Sequence, residues 1–435
     1  MLALPIVFQN LINFGIMAAD NLMLGRLGEL QLSAVSVANQ LTFVFIILSF
    51  SLSAGCGVLT AQFWGAGNDE KVREIVGFMY RLVAILTVIF ASLAFFFPTH
   101  ILSIITTDQE VIAEAVIYLR ILSLGYLFSG FTNATIGILR SVGTVKISVL
   151  VYCVSLLIGV TLNVGLIFGN FGLPALGVMG AAIATVIARF SELVVFVVYI
   201  FKFEKKICFN LRYLFKTGDG VVKGFMKHAS PVLVNEVFWS ASHFLLGVVI
   251  GRMGREFVAA NAISALLIQF VGIVIFGVAN ATSTIIGNTI GEGDQDRAKR
   301  YANGMIVLSA GLGILSFGLI QAVRIPFINF YELSELAQNL ARQMTHIISV
   351  MVIFTSVCVT GMMGTLRGGG DTRFVMVIDS VFPWLISIPL GALAGFVFGW
   401  PVAIVFSILR SEDVFKTIMV LWRIPRGKWM RDVTH

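Results

Sequence analysis

The residues best placed to do chemistry in this chain are a few carboxylates set in apolar surroundings. Asp20 lies fifteen residues after Pro5 in the opening apolar stretch. Glu236 follows Pro231 by five residues, with Asn235 beside it and Trp239 one helical turn further on. Asp379 stands in Val377-Ile378-Asp379-Ser380, and Glu192 and the pair Glu412-Asp413 each follow an arginine, Arg189 and Arg410. A bare anion in a low-dielectric medium is costly, so each of these groups needs a proton, a metal cation, a protein base or a cationic ligand beside it. A carboxylate that trades one such partner for another couples two binding events. The Trp239 indole adds cation–π attraction for an organic cation near Glu236. Pro5 and Pro231 each remove a backbone donor and are expected to let their helices bend. Arg189 and Glu192, three residues apart, read as a mutually neutralising pair. Arg120 is expected to partner one of the acids, and His243 and His346 read as packed helix residues rather than proton relays.

These groups need elements that hold them inside an apolar phase, and the composition supplies one. The 435 residues are 58% hydrophobic and 12% charged, with mean hydropathy +0.94. Soluble domains carry about 25% charged residues, so this chain lacks the polar groups to cover a water-exposed surface. No Asp, Glu, Lys or Arg occurs over 30–68, 82–107, 147–188, 257–291, 301–323 or 380–409. A membrane-crossing helix needs about 20 apolar residues. Spans are expected near 4–24, 34–62, 78–98, 112–139, 147–168, 178–202, 231–250, 258–288, 302–325, 343–366, 374–397 and 401–422. A β-barrel is excluded because the apolar runs are continuous rather than alternating. Cys56, Cys153, Cys208 and Cys358 lack metal-ligand spacing and read as small apolar residues. There is no cleavable leader with an A-x-A site, and a first span this close to Met1 leaves room for a few residues upstream.

Twelve spans put the bases on one side. Lys202, Lys205, Lys206, Arg212, Lys216, Lys223 and Lys227 follow span six; Lys71 and Arg73 follow span two; Arg297, Lys299 and Arg300 follow span eight; Arg423, Arg426, Lys428 and Arg431 fill the tail. By the positive-inside rule both termini are then cytoplasmic. The net charge of +7 thus belongs to loops and is no sign of a nucleic-acid partner. The sequence also repeats: an offset of 226 carries Pro5 to Pro231, Gly25-Arg26 to Gly251-Arg252, Gly28 to Gly254, Gly65 to Gly291 and Gly67 to Gly293. An offset of 227 carries Gly137-Ile138-Leu139-Arg140 to Gly364-Thr365-Leu366-Arg367. A constant offset over so long a stretch implies duplication. Each half has an even number of spans, so both enter from the same side, as in two-lobed transporters with parallel repeats. The expected organisation is an all-α integral membrane protein of twelve helices in two pseudo-symmetric six-helix lobes. These lobes are 1–203 and 229–425, joined by a basic linker at 204–228 read as a solvated loop, with a tail at 426–435.

Asp20-Asn21-Leu22-Met23-Leu24-Gly25-Arg26-Leu27-Gly28 after Pro5, Gln62-x-x-Gly65-Ala66-Gly67, Leu139-Arg140-Ser141, Asn163 with Gly180-Ala181-Ala182-Ile183-Ala184-Thr185, and Leu366-Arg367-Gly368-Gly369-Gly370-Asp371-Thr372 together resemble the multidrug and toxic compound extrusion (MATE) family over essentially the whole chain. The resemblance implies a cation-coupled antiporter, driven by H+ or Na+, that exports cationic and amphipathic compounds by rocking two six-helix lobes. It implies a coupling site at Asp20 with Asn163 and Thr185 as partners, and a role for the glutamate in span seven, Glu236. The family's sodium site has a further Asp four residues after the Asn, where this chain has Ile167; the departure weakens Na+ binding in the first lobe. Some members carry a second-lobe Asp in span ten, where Met344–Met363 has no carboxylate, so Asp379 is expected to substitute.

An enzyme is not expected: neither H-E-x-x-H nor G-x-S-x-G occurs, and Gly137–Lys146 lacks the spacing of an ATP-binding loop. No cofactor is called for, nor any metal beyond Na+. Asp20, Glu236, Trp239 and Asp379 are the expected cavity residues. The competing reading is a flippase for lipid-linked oligosaccharides, which calls for bases lining the cavity. The expected setting is a monomer in the cytoplasmic membrane whose partners are lipid and small organic cations. Asp20→Asn and Glu236→Gln are each expected to stop drug-dependent ion release without unfolding the protein.

Overall fold

The computed structural model of the chain describes residues 3–216, 218, 220–331 and 334–433, which hold helices and no strand. Residues divide into two compact units: one runs to Thr60 and from Asn68 to Phe225, the other comprises Ala61–Gly67 and everything from Met226 on.

The first unit contains α1 (Ala3–Gly25), most of α2 (Glu29–Gly65), α3 (Asp69–Phe96), the short α4 (Pro98–Ile105), α5 (Gln109–Ser141), α6 (Lys146–Phe168) and α7 (Gly177–Lys202). α5 packs against α3 and α7, and α6 against α1 and α7. At its core Phe45 meets Phe90 and Tyr126 at ring-centroid distances of 5.5 and 4.7 Å. Pro5 falls in the first turn of α1 as described, and the helix continues past it to Gly25. Arg120 is exposed and pairs with no acid among the described residues, contrary to expectation. The linker is not the solvated loop expected. The buried Glu204 carboxylate accepts from the backbone N–H groups of Lys206, Ile207 and Cys208, and Arg73 Nε donates to Ile207 O at 2.6 Å. Phe209 and Phe225 pack on Tyr80 and Phe78 of α3. A charged composition implied solvation; the aromatic side chains between the charges provide the docking.

In the second part of the chain, α8 (Val221–Gly224) leads through a π-helical stretch, Phe225–Ala229, into α9 (Ser230–Arg252). The wide turns end just before Pro231, which lacks a backbone donor. α10 (Arg255–Gly291), α11 (Gln295–Asn329) and α12 (Glu335–Val359) follow; α12 continues as a π-helix to Leu366. α13 (Thr372–Phe382) and α14 (Ile388–Ala392) alternate with π-turns at Pro383–Ser387 and Leu393–Val397. The last span is two helices, α15 (Val402–Arg410) and α16 (Glu412–Arg423), interrupted at Ser411. Among the described residues, eleven helical spans are long and apolar enough to cross a membrane. The last stretch falls short because Ser411 divides it into helices of 9 and 12 residues, with Arg410, Glu412, Asp413 and Lys416 around the break. α12 packs against α10, α11 and α16, and α13 against α9.

The repeat is visible in the backbone. Asn68 caps α3 by accepting from Lys71 N, and Asp294, 226 residues on (294 − 68), caps α11 by accepting from Arg297 N. Asp108 and Ser334 (334 − 108 = 226) likewise cap α5 and α12. Left-handed glycines recur in step: Gly67 and Gly293 at φ 70° and 82°, and Gly143 and Gly370 at φ 74° and 86°, a conformation in which a Cβ is strained. Outer faces are apolar: Ile85, Val88 and Ile89 on α3 and Val307, Ile314 and Leu315 on α11 are all at least half exposed. In water such faces would drive aggregation; in lipid, where helices satisfy their own backbone, they are the stable arrangement. This is a multi-pass membrane protein.

Candidate functional site

A cavity of about 340 Å³ lies within the first unit. α1 contributes Asn13, Met17 and Asp20; α2 contributes Asn39, Thr42 and Phe45; α5 contributes Tyr118, Tyr126, Ser129 and Asn133; α6 contributes Tyr152, Asn163 and Ile167; α7 contributes Thr185, Arg189 and Glu192. Every one of these helices adds at least one polar side chain, which is unusual in an apolar chain and costly unless used. Asn163, buried on α6, donates from Nδ2 to Asp20 Oδ1 at 2.6 Å. Thr185 lines the same cavity but its hydroxyl donates to Ala181 O at 2.9 Å, and its side-chain partner is Tyr118. The structure therefore brings Asn163 onto Asp20 and leaves Thr185 a neighbour. Glu192 is held by Arg189 Nη1 at 2.8 Å and by the Ser155 hydroxyl at 2.5 Å. Asp20 has no ion pair within 4.0 Å among the described residues, so of the cavity's two carboxylates it is the one without a base beside it. Ile167 on the wall supplies no oxygen ligand.

The acids of the second unit are engaged. Glu236, 8% exposed, receives Arg367 Nη1 at 2.9 Å. Asp379 Oδ1 lies 2.7 Å from Lys416 Nζ, and Asp379 Oδ2 accepts from Asn235 Nδ2 at 3.0 Å. Lys416 also reaches Glu412 Oε2 at 3.4 Å, and the Thr355 hydroxyl donates to Asp413 Oδ2 at 2.5 Å. The Trp239 ring lies against His243, with centroids 4.0 Å apart and ring planes tilted by 37°, and His243 Nδ1 is on Trp239 O. His346 sits against Gln321. Sequence reasoning passed over Lys416. Its signal was present: a lysine four residues after Glu412 on a span, where a base is as costly as an acid.

The MatE family model matches residues 5–164 and 231–393. The chain is 24% identical to the probable multidrug resistance protein NorM of Thermotoga maritima, covering 98% of this chain and 92% of that one. It is 25% identical to the probable multidrug resistance protein YoeA of Bacillus subtilis, covering 97% and 94%. Among solved structures, a MATE protein in complex with MaL6 superposes with a TM-score of 0.88 at 19% identity, over 98% of this chain and 96% of that one. A MOP superfamily transporter from Pyrococcus furiosus, described as having a binding pocket of reversed polarity, superposes with a TM-score of 0.89 at 19% identity, over 98% and 95%.

Proposed function

The chain belongs to the MatE family, and from that premise we propose that it is a proton-driven antiporter exporting cationic, amphipathic organic compounds from the cytoplasm. The observation that carries this reading is Asp20, a carboxylate lining an internal cavity with an amide partner, Asn163, and no ion pair. A proton needs one carboxylate. Na+ needs several oxygen ligands, and Ile167 stands where one would come from. Asp20 holds a proton, gives it up when an organic cation arrives, and takes another from the outer side as the two six-helix lobes alternate access; Asn163 keeps the carboxylate in place through the exchange. Thr185 and Tyr118 line the path to it. Asp379 and Glu236, both paired with bases, serve the second lobe's charge balance. The lobes are 1–203 and 229–425, the protein acts as a monomer in the cytoplasmic membrane, and both termini face the cytoplasm.

The flippase reading needs a cavity rich in bases for a pyrophosphate. Among the cavity's lining residues Arg189 is the single base, and Glu192 holds it. Proteoliposomes carrying the protein, given pH and Na+ gradients separately, test the proposal with a fluorescent organic cation as cargo. Export driven by the pH gradient alone, and lost at least tenfold in Asp20→Asn, is the expected result. Export that follows only a Na+ gradient, or that survives in Asp20→Asn, overturns it.

A further inference from the structure

We propose that Lys416 is a built-in counter-cation, an ammonium that fills a cation site of the second unit and so keeps free monovalent cations out of it. Lys416 sits on α16, 2% exposed, with Asp379 of α13 at 2.7 Å and Glu412 of its own helix at 3.4 Å. It is the single base within 4.0 Å of either carboxylate among the described residues. The other bases of this region do not compete for them: Arg367 is on Glu236, and Arg410 lies over the Phe406 ring at 5.6 Å. Two carboxylates therefore face one ammonium.

An independent feature marks the place as a cation site rather than a plain ion pair. Asn235 of α9, 2% exposed, donates its Nδ2 to Asp379. The oxygen of the same amide is buried and has no hydrogen-bond partner. Two carboxylates on Lys416, with a neighbouring amide whose oxygen is unpartnered, are drawn from three helices and are the hard oxygen groups that suit a small cation. A lysine ammonium is a compact point charge on a flexible stem, unlike the planar guanidinium, and it is the side chain that best stands in for such an ion. Because it is tethered, no free ion displaces it cheaply. Coupling is then left to Asp20, and Lys416 determines which ion, and which lobe, drives transport. That consequence rests on the antiport reading; the binding site itself does not.

The test uses purified full-length protein in detergent, melted with Na+, with ethylammonium, or with bulky choline as control. A cation that binds the folded state alone raises the melting temperature. Lys416→Ala is expected to be stabilised by Na+ or ethylammonium, with at least tenfold higher apparent affinity than wild type. Lys416→Arg is expected to behave as wild type. Lys416→Ala/Asp379→Asn, which removes a charge of each sign, is expected to lose the response. If Lys416→Ala is obtained folded only when Na+ or ethylammonium is present during purification, the proposal is supported. It is overturned if the single variant ignores both cations, or if neither cation restores it while the double variant folds. In proteoliposomes the single variant should gain Na+-driven export that wild type lacks. A wild type silent under every gradient would end the antiport reading, and the melting result would still decide the Lys416 site.

Discussion

Glu236 and Arg367 show how far a single residue can be read without its partner. In sequence, Glu236 is a free carboxylate beside an indole, and its glutamine variant was expected to fold normally. In the structure it neutralises Arg367, 4% exposed, at 2.9 Å. Removing one partner of a buried pair strands the other charge and costs about 3–5 kcal/mol. Glu236→Gln is therefore expected to melt well below wild type, and Glu236→Gln/Arg367→Met to recover most of the loss; equal melting of the single variant and wild type would contradict the pairing. Asp20 behaves differently, because its partner is a neutral amide, and Asp20→Asn should leave the melting temperature near that of wild type. The two acids looked alike in sequence because both sit near a proline in an apolar run. They differ in what comes from distant helices, Asn163 in one case and Arg367 in the other, and no local spacing records that.

Among the elements, the apolar runs located the helices but not their starts: spans expected from 78, 112, 302 and 343 begin at Asp69, Gln109, Gln295 and Glu335, because the polar first turns lie outside the uncharged runs. Asn68, Asp108, Asp294 and Ser334 are good N-cap types placed just before a run, and all four accept from the first turn they precede. Asn68→Ala and Asp294→Ala should each cost about 1 kcal/mol and speed amide exchange in the first turns of α3 and α11 while leaving their centres protected. Wide turns were less legible: Pro231 announced that a donor was missing but not that π-helical turns would precede it. The linker was misread because charge density reports hydration and says nothing of Glu204, whose carboxylate gathers three backbone N–H groups into a fixed loop. Glu204→Ala is expected to make 204–216 cleavable by limited proteolysis several times faster; unchanged cleavage would mean that Phe209 and the Arg73–Ile207 bond hold the loop without it.

For the molecule as a whole, the fold was readable because lipid imposes a rule that sequence displays directly: long uncharged runs, bases gathered on one side, and a duplication whose offset of 226 reappears in caps and left-handed glycines. The family motifs, spread over the chain, carried the likeness that the MatE match establishes. The proposed ion site was only half readable. Its acids stand out against apolar sequence, but their availability depends on Lys416, which lies 37 residues beyond Asp379 (416 − 379) and reaches it only when α16 packs on α13. The central claim is that Asp20 exchanges a proton for cargo, and it is tested most directly by adding an organic cation to purified protein in weak buffer with a pH-sensitive dye. Proton release on cargo binding in the wild type, absent in Asp20→Asn and retained in Lys416→Arg, is the predicted result. Cargo binding that releases no proton from the wild type, or as much from Asp20→Asn, would contradict the account.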